Sequence, residues 1–554
     1  MTTPQLRDEY AAKPWLALYD GVPDTPQIRF GNAVEPLTAS VASHADKPAL
    51  HYLDTAMTFA ELGGHVDAFA VALAAKFGVG KGDRVMLQLQ NMPAFIIAQY
   101  AAWKLGAIVV PVNPMFKTDE LIKLASDSEP KVLVQLDTLY ADLHGPIEEL
   151  GTTIVTASAL DFASEWPADR LGELDRPEPG AGGDFLALLE EYAGRQPEPI
   201  EVGLDDTAYL VYTSGTTGPP KGAMNTHRAV LFNSENYRIW CDLSDADVCL
   251  AIAPLFHVTG LIAHIGVSIQ VAMPMALGYR FDPVVMCRLI ERYKATWVMG
   301  SITAYISILN EPSARDFDLS SATKLWSGGQ AVAASTVEQL QGLFGAYVHN
   351  LYGLTECTSE SHAVPAARTA PVDPKSGALA VGTPVPGFEC RVADETGNDL
   401  PVGEVGEIVM RSDSVVPGYW NKPEESAKAI RDGWLYTGDV GFMDENGWFY
   451  IVDRIKDMIV ASGFKIWPRE VEDVLYTHPA VREAAVIGVA DEYRGETVAA
   501  FVSLRAGADA EPDEIIAYCK ERLAAYKYPR TLQIIEEIPK NANGKIMRRS
   551  LRES

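Results

Sequence analysis

From Thr58 to about residue 330, apolar runs of strand length alternate with segments of helix length, and no other feature of the sequence restricts the fold so strongly. Thr58-Phe-Ala-Glu61 opens the first of these helices, because Thr58 and Glu61 can satisfy each other's free backbone amides. The helix is predicted to run to about Phe77, where Gly78 and Gly80 end it. Arg84 to Gln90 reads as a strand, Pro93 to Leu105 as a helix and Ala107 to Val112 as the next strand. Strand and helix repeating at this spacing predict α/β layers around largely parallel sheets.

The texture changes after about Ala380. Short strands separated by turn signals take over, and Asn446-Gly447 between two apolar stretches predicts a hairpin. A further pattern begins at Pro468. It has a helix to about Tyr476, strands near Ala484 to Val489 and Thr497 to Leu504, a helix from Pro512 to Ala525 and a strand near Leu532 to Ile535. These elements make a compact α+β unit. A chain of 554 residues is too long for one core, so the fold class is α/β, a large multi-subdomain N-terminal body with parallel-rich sheets followed by a small α+β C-terminal domain.

Charge and cysteine usage exclude several classes. Acidic residues exceed basic ones by 74 to 46, a net charge of −28, which argues against a general nucleic-acid binder. Cys241, Cys249, Cys287, Cys357, Cys390 and Cys519 contain no Cys-x-x-Cys pair, so they read as core thiols of a cytoplasmic protein. Residues 1–21 lack the basic head and apolar run of a signal peptide. The most apolar stretch, Leu250 to Leu277, is broken by His257, His264, Gln270 and two prolines, which fits a core segment better than a membrane span.

The chemistry-bearing segment is Tyr212-Thr-Ser-Gly-Thr-Thr-Gly-Pro-Pro-Lys-Gly222, which follows an apolar strand. Glycine turns rich in hydroxyls can wrap donors around phosphate oxygens, and Lys221 adds a charge. It is not a Walker loop: the second glycine of that pattern would fall at Pro220, and Gly222 stands where Ser or Thr belongs.

This segment resembles the phosphate loop of the acyl-adenylate-forming (AMP-binding) superfamily of acyl-CoA synthetases, peptide-synthetase adenylation domains and firefly-type luciferases. Six further matches follow in order: Pro254-Leu-Phe-His-Val-Thr-Gly260, Ser327-Gly-Gly-Gln330, Leu351-Tyr-Gly-Leu-Thr-Glu356, Tyr436-Thr-Gly-Asp439, Asp453-Arg-Ile-Lys-Asp457 with Ser462-Gly-Phe-Lys465, and Pro539-Lys-Asn-Ala-Asn-Gly-Lys545. Read in isolation, Glu356 and Asp439 are ordinary solvated acids, Lys545 a tail lysine and His257 a satisfied core histidine. The motif frame gives them roles.

The resemblance implies an ATP-dependent acid–thiol ligase with ATP, Mg²⁺ and coenzyme A as cofactors. It implies that Thr213, Ser214, Gly215, Thr216, Thr217, Gly218 and Lys221 hold the β- and γ-phosphates, and that Gly328, Gly329 and Gln330 with Asn350, Tyr352 and Gly353 form the adenine slot. Thr355 would touch the α-phosphate, Glu356 with Thr213 would hold Mg²⁺, and Asp439 and Arg454 would hold the ribose. Lys545 would act on the α-phosphate and the attacking carboxylate, and His257 would line the junction of the acyl and thiol channels. It also implies a division into residues 1–454, a hinge at 455–457 pivoting on Lys456, and a mobile domain at 458–554. Gly463 would leave passage for pantetheine, with Lys465 beside it in the cofactor-binding set.

Val258 to Leu261, Gly300 to Tyr305 and Trp326 are expected to line an apolar acyl pocket. Leu354 replaces the Trp that acetate-type enzymes carry, and Lys465 to Glu472 is most similar to bacterial medium- and long-chain fatty acyl-CoA ligases. An aryl-acid ligase of hydroxycinnamate or benzoate type is the alternative. An adenylase serving a carrier protein lacks its expected aspartate here, because His257-Val-Thr-Gly occupies the region. A catalytically silent homologue fits poorly with intact Lys221, Glu356, Asp439, Arg454 and Lys545. A homodimer is compatible with this reading.

Overall fold

The computed structural model describes residues 9–213, 220–330, 332–374, 377–454, 457–461, 464–491, 494–505, 507–540 and 546–552. Among them the chain forms four sheets. The two largest have nine and six strands with parallel interiors, and antiparallel strands close both edges of the larger and one edge of the smaller. This is the expected α/β layering, and it follows from helices returning each strand to the same end of its sheet.

The first helix is Phe59–Phe77, and its capping box forms as read: Thr58 N–H donates to Glu61 Oε2 at 2.8 Å and Glu61 N–H to Thr58 Oγ1 at 3.2 Å. Gly78, at φ 63°, ends it. Arg84–Gln88, Pro93–Lys104 and Ile108–Pro111 follow in the expected order. Pro93–Lys104 is buried almost all round, because it is sandwiched between the six-stranded sheet and Phe59–Phe77. The apolar stretch from Leu250 becomes a short strand, a π-helix at Gly260–Gly266 and the strand Met275–Leu277. His264 is fully buried there. Its Nε2 accepts from Ala253 N–H at 3.1 Å, and burial holds its pKa down at about 3, so it is a neutral core group. No helix among the described residues is long and apolar enough to cross a membrane.

The hairpin around Asn446-Gly447 joins Trp434–Met443 to Phe449–Arg454. Its turn is longer than the two-residue turn that an Asn-Gly pair favours. Asp444 organises it, accepting from the Asn446 and Trp448 backbone N–H groups at 2.9 Å each. The C-terminal sheet carries Val481–Asp491 and Gly495–Leu504 in one long antiparallel pair, flanked by the helices Pro468–Tyr476 and Pro512–Arg522. Its apolar clusters begin at Ile459, whereas the buried members of the main core run from Tyr10 to Phe449.

Candidate active site

The strands Thr207–Thr213 and Lys221–Thr226 pair antiparallel and place Thr213 opposite Lys221. Ser214, Gly215, Thr216, Thr217 and Gly218 lie between them, outside the described residues. One step back in the ladder, Tyr212 faces Gly222, where a Cβ would come 3.2 Å from the Tyr212 ring, so glycine is what lets the ring cross the strand. The Tyr212 hydroxyl donates to Asp127 Oδ2 at 2.7 Å. Lys221 Nζ lies 2.7 Å from Glu425 Oε2 and 5.1 Å from the centre of the Tyr419 ring. Lys221 and Lys428 together hold the Glu425 carboxyl down at about 2.

Tyr419 was not legible as a site residue, yet it joins two motifs. The segment Pro417-Gly418-Tyr419-Trp420 runs beside the returning strand, where Met224 N–H donates to Gly418 O at 3.1 Å and Trp420 N–H to Gly222 O at 2.8 Å. That contact sets the Tyr419 ring beside Lys221, and its hydroxyl donates to Glu356 Oε1 at 2.8 Å. Burial first, and then Glu356, drive the phenol pKa far up, so Tyr419 remains a neutral donor. The only sequence signal was the Pro-Gly turn. Tyr419→Phe is expected to lower kcat/KM by about fivefold to tenfold and to raise the half-saturating magnesium concentration, since one hydrogen bond to a charged group is removed. A magnesium titration of initial rates checks this. An unchanged magnesium requirement would detach Tyr419 from Glu356's role.

The opposite wall comes from two parallel strands, Lys324–Ser327 and Val348–Leu354. Gly328 follows the first, and a Cβ on it would lie 3.0 Å from Leu351 O. Gly329 takes φ 82°, which favours glycine, and Gln330 Oε1 is 3.5 Å from Thr303 Oγ1. On the second strand Asn350 is buried. Its amide donates to Ala380 O at 3.0 Å and its Oδ1 accepts from Leu351 N–H, so its side chain braces the strand. At Gly353 a Cβ would come 1.7 Å from Ser359 O, so no side chain fits. Tyr352 donates to Asp439 Oδ2 at 2.7 Å, and Asp439 stands opposite Arg454 in the long hairpin. One hydrogen bond therefore ties the expected adenine wall to the expected ribose pair. Thr355–Cys357 form a single 3₁₀ turn, with Thr355 O accepting from Asn225 Nδ2 at 2.9 Å.

The Thr213 hydroxyl and the Glu356 carboxylate are hard oxygen donors. They fit Mg²⁺, which keeps several waters and shares substrate phosphates. Among the described residues no group of three or more His, Cys, Asp or Glu side chains converges on a metal position. His257 Nδ1 is 3.2 Å from Thr259 Oγ1 and 3.3 Å from the Thr259 backbone N–H, which donates to it. Val258, Leu261 and Trp326 are buried, Trp326 stacking on His349 at 4.3 Å. Tyr305 donates to Val298 O at 2.8 Å and to Trp326 O at 3.1 Å, which makes it a strut of the core.

Lys456, Gly463 and Lys545 lie outside the described residues, and Arg454 and Lys465 are described for their backbone alone. Among the described residues from Asp453 to Arg548 is a charged cluster that sequence reasoning missed. Arg548 bonds both oxygens of Glu472 at 2.8 Å and lies 3.5 Å from Asp457 and 3.9 Å from Asp453. Asp453 Oδ2 also accepts from Arg469 N–H at 3.0 Å, supplying an acceptor to the first turn of Pro468–Tyr476.

The sequence matches the AMP-binding enzyme family over residues 37–420 and the AMP-binding enzyme C-terminal domain over residues 470–545. The chain belongs to the AMP-binding enzyme family. A long-chain-fatty-acid–CoA ligase of Bacillus subtilis is 37% identical over 556 residues, covering 98% of each chain. A feruloyl-CoA synthase of Amycolatopsis is 36% identical over 516 residues, covering 93% of this chain and 96% of the relative. The structure is similar to ATP-bound MatB from Rhodopseudomonas palustris, with a TM-score of 0.82 and 28% identity over 94% of this chain and 98% of that one. This AMP-binding enzyme is an AMP-forming acyl-CoA synthetase that uses ATP, Mg²⁺ and coenzyme A.

Proposed function

We propose that this acyl-CoA synthetase activates a medium- or long-chain fatty acid, and that its reacting groups are those named above. The observation that carries the site assignment is the linkage of separate motifs: Lys221 beside Tyr419, Tyr419 bonded to Glu356, and Tyr352 bonded to Asp439. The fatty-acid reading is supported by the nearly full-length similarity to long-chain-fatty-acid–CoA ligases.

A carboxylate is a poor electrophile, so it first acquires a leaving group. Its oxygen attacks the α-phosphorus of ATP, the bond to the bridging oxygen breaks, and pyrophosphate leaves. Lys221 neutralises the departing charge while the hydroxyls of Thr213, Ser214, Thr216 and Thr217 hydrogen-bond it, and Lys545 neutralises charge at the α-phosphate. Glu356 and Thr213 would hold Mg²⁺, which supplies charge to the phosphate oxygens. The thiol of coenzyme A then loses its proton to solvent, the thiolate attacks the acyl carbon, and the bond to AMP oxygen breaks. The body at 1–454 and the domain at 458–554 turn about 455–457 between the two steps, so that Lys545 leaves and Gly463 admits the thiol arm. The six cysteines, all buried and unpaired, support a reducing, cytoplasmic setting.

An aryl acid is the second reading, favoured by the feruloyl-CoA synthase relative. Pyrophosphate release measured over acids from short to long chain, together with cinnamate- and benzoate-type acids, with and without coenzyme A, separates the two. The fatty-acid reading expects the highest kcat/KM among medium and long chains. A maximum among aryl acids overturns it.

A further inference from the structure

Glu360 lies in the strand Ser359–Ala363, and the antiparallel ladder places it opposite Gly353. Its side chain is completely buried, and among the described residues it is the one carboxyl group with both oxygens buried and unbonded. Its neighbours Tyr237, Cys241 and Cys357 leave those oxygens without a partner, and the Tyr237 hydroxyl is bonded instead to Ser359 Oγ at 2.9 Å. Burial raises its proton affinity well above the usual carboxylate range, so Glu360 is a neutral acid with one O–H donor and an open carbonyl acceptor.

A buried polar group left unbonded is destabilising, and an apolar side chain of similar size would fill the position without that cost. The fold does not need the carboxyl group. The contact that anchors this strand is made by Glu360's backbone oxygen, which accepts from Asn233 Nδ2 at 3.0 Å and which any residue supplies.

The surroundings lead to Trp326 and to the segment after His257, which are expected to line the acyl pocket. The Tyr237 ring meets Trp297 edge-on at 6.0 Å, and Trp297 leans on Trp326 at 5.4 Å. The Trp297 indole N–H donates to Ala263 O at 2.9 Å, inside the π-helix into which His257-Val-Thr-Gly260 leads. Glu360 thus adjoins an aromatic, apolar layer, four residues past Glu356 and beside the strand that carries Tyr352.

Resting on the acyl-CoA synthetase reading, we propose that Glu360 is a specificity-determining residue that hydrogen-bonds a hydroxyl carried on the hydrophobic part of the acid. The favoured substrates are hydrophobic acids bearing a neutral hydroxyl. That chemistry is offered by two sources, a hydroxylated fatty acid and a phenolic acid.

The test compares kcat/KM for pyrophosphate release within two pairs: octadecanoate against a mid-chain hydroxyoctadecanoate, and cinnamate against para-hydroxycinnamate. The wild-type enzyme should favour the hydroxylated member of one pair by about tenfold or more, and the pair that shows it identifies the source. Glu360→Leu should bring that ratio to about one while the parent acid is still activated, and Glu360→Gln should retain part of it. A wild-type ratio near one in both pairs overturns the proposal, whether or not the variants fold. So does a Leu variant in which all acids slow together and the ratio stands. If no acid supports AMP, pyrophosphate and thioester formation in the wild-type enzyme, it is the synthetase reading that fails.

Discussion

Lys545→Ala should slow acyl-adenylate formation by about 10²–10³-fold, because one positioned charge on a developing phosphoryl anion is worth about 3–4 kcal/mol. The same variant, given pre-made acyl-adenylate and coenzyme A, should form thioester at near the wild-type rate. The asymmetry follows from the proposed two-step scheme, in which Lys545 would act where the carboxylate meets the α-phosphorus and would be withdrawn with its domain before the thiol arrives. Rapid-quench measurement of each half-reaction checks it. Equal losses in both would give the lysine a structural role, or would mean that the domain does not turn.

Arg548→Met should destabilise the C-terminal unit by about 3–5 kcal/mol, the cost of leaving buried carboxylates without their cation. Three acids face this guanidinium: Glu472 bidentate at 2.8 Å, Asp457 at 3.5 Å and Asp453 at 3.9 Å. Their field pushes the Arg548 pKa upward against the opposing effect of burial. Asp453 precedes the proposed hinge and Asp457 lies within it, so the loss should also loosen the seating of Pro468–Tyr476, whose first turn draws on Asp453. Arg548→Lys should recover only part of the stability, since a single ammonium cannot repeat the bidentate contact with Glu472. Urea unfolding followed by protection of the C-terminal unit from proteolysis measures the effect. A change below about 1 kcal/mol would make the cluster energetically neutral.

What the sequence made legible was local in origin. The Thr58–Glu61 capping box needs partners only three residues apart, and the strand at Arg84 and the helix at Pro93 announce themselves by apolar period and a proline start. The strand that leads into 214–218 follows from its apolar run, and the pairing of Trp434–Met443 with Phe449–Arg454 from a hairpin signal, whereas the returning strand Lys221–Thr226 was not legible. Tyr419 escaped because its partner, Glu356, lies 63 residues away and is reached through tertiary backbone bonds, Val416 N–H to Glu356 O and the pairing of 418–420 with 222–224. Arg548 escaped for the same reason, its bidentate partner Glu472 being 76 residues distant. Tyr305 and Asn350 carry contacts that no local pattern reveals: backbone acceptors in the core engage their side-chain donors.

The account turns on the carboxylate oxygen attacking the α-phosphorus of ATP. Supplying the acid with heavy oxygen in its carboxylate and analysing the products by mass spectrometry tests that step directly. The account predicts one labelled oxygen in AMP for each acyl-CoA formed, with unlabelled pyrophosphate. Label in inorganic phosphate, with ADP as the nucleotide product, would contradict it.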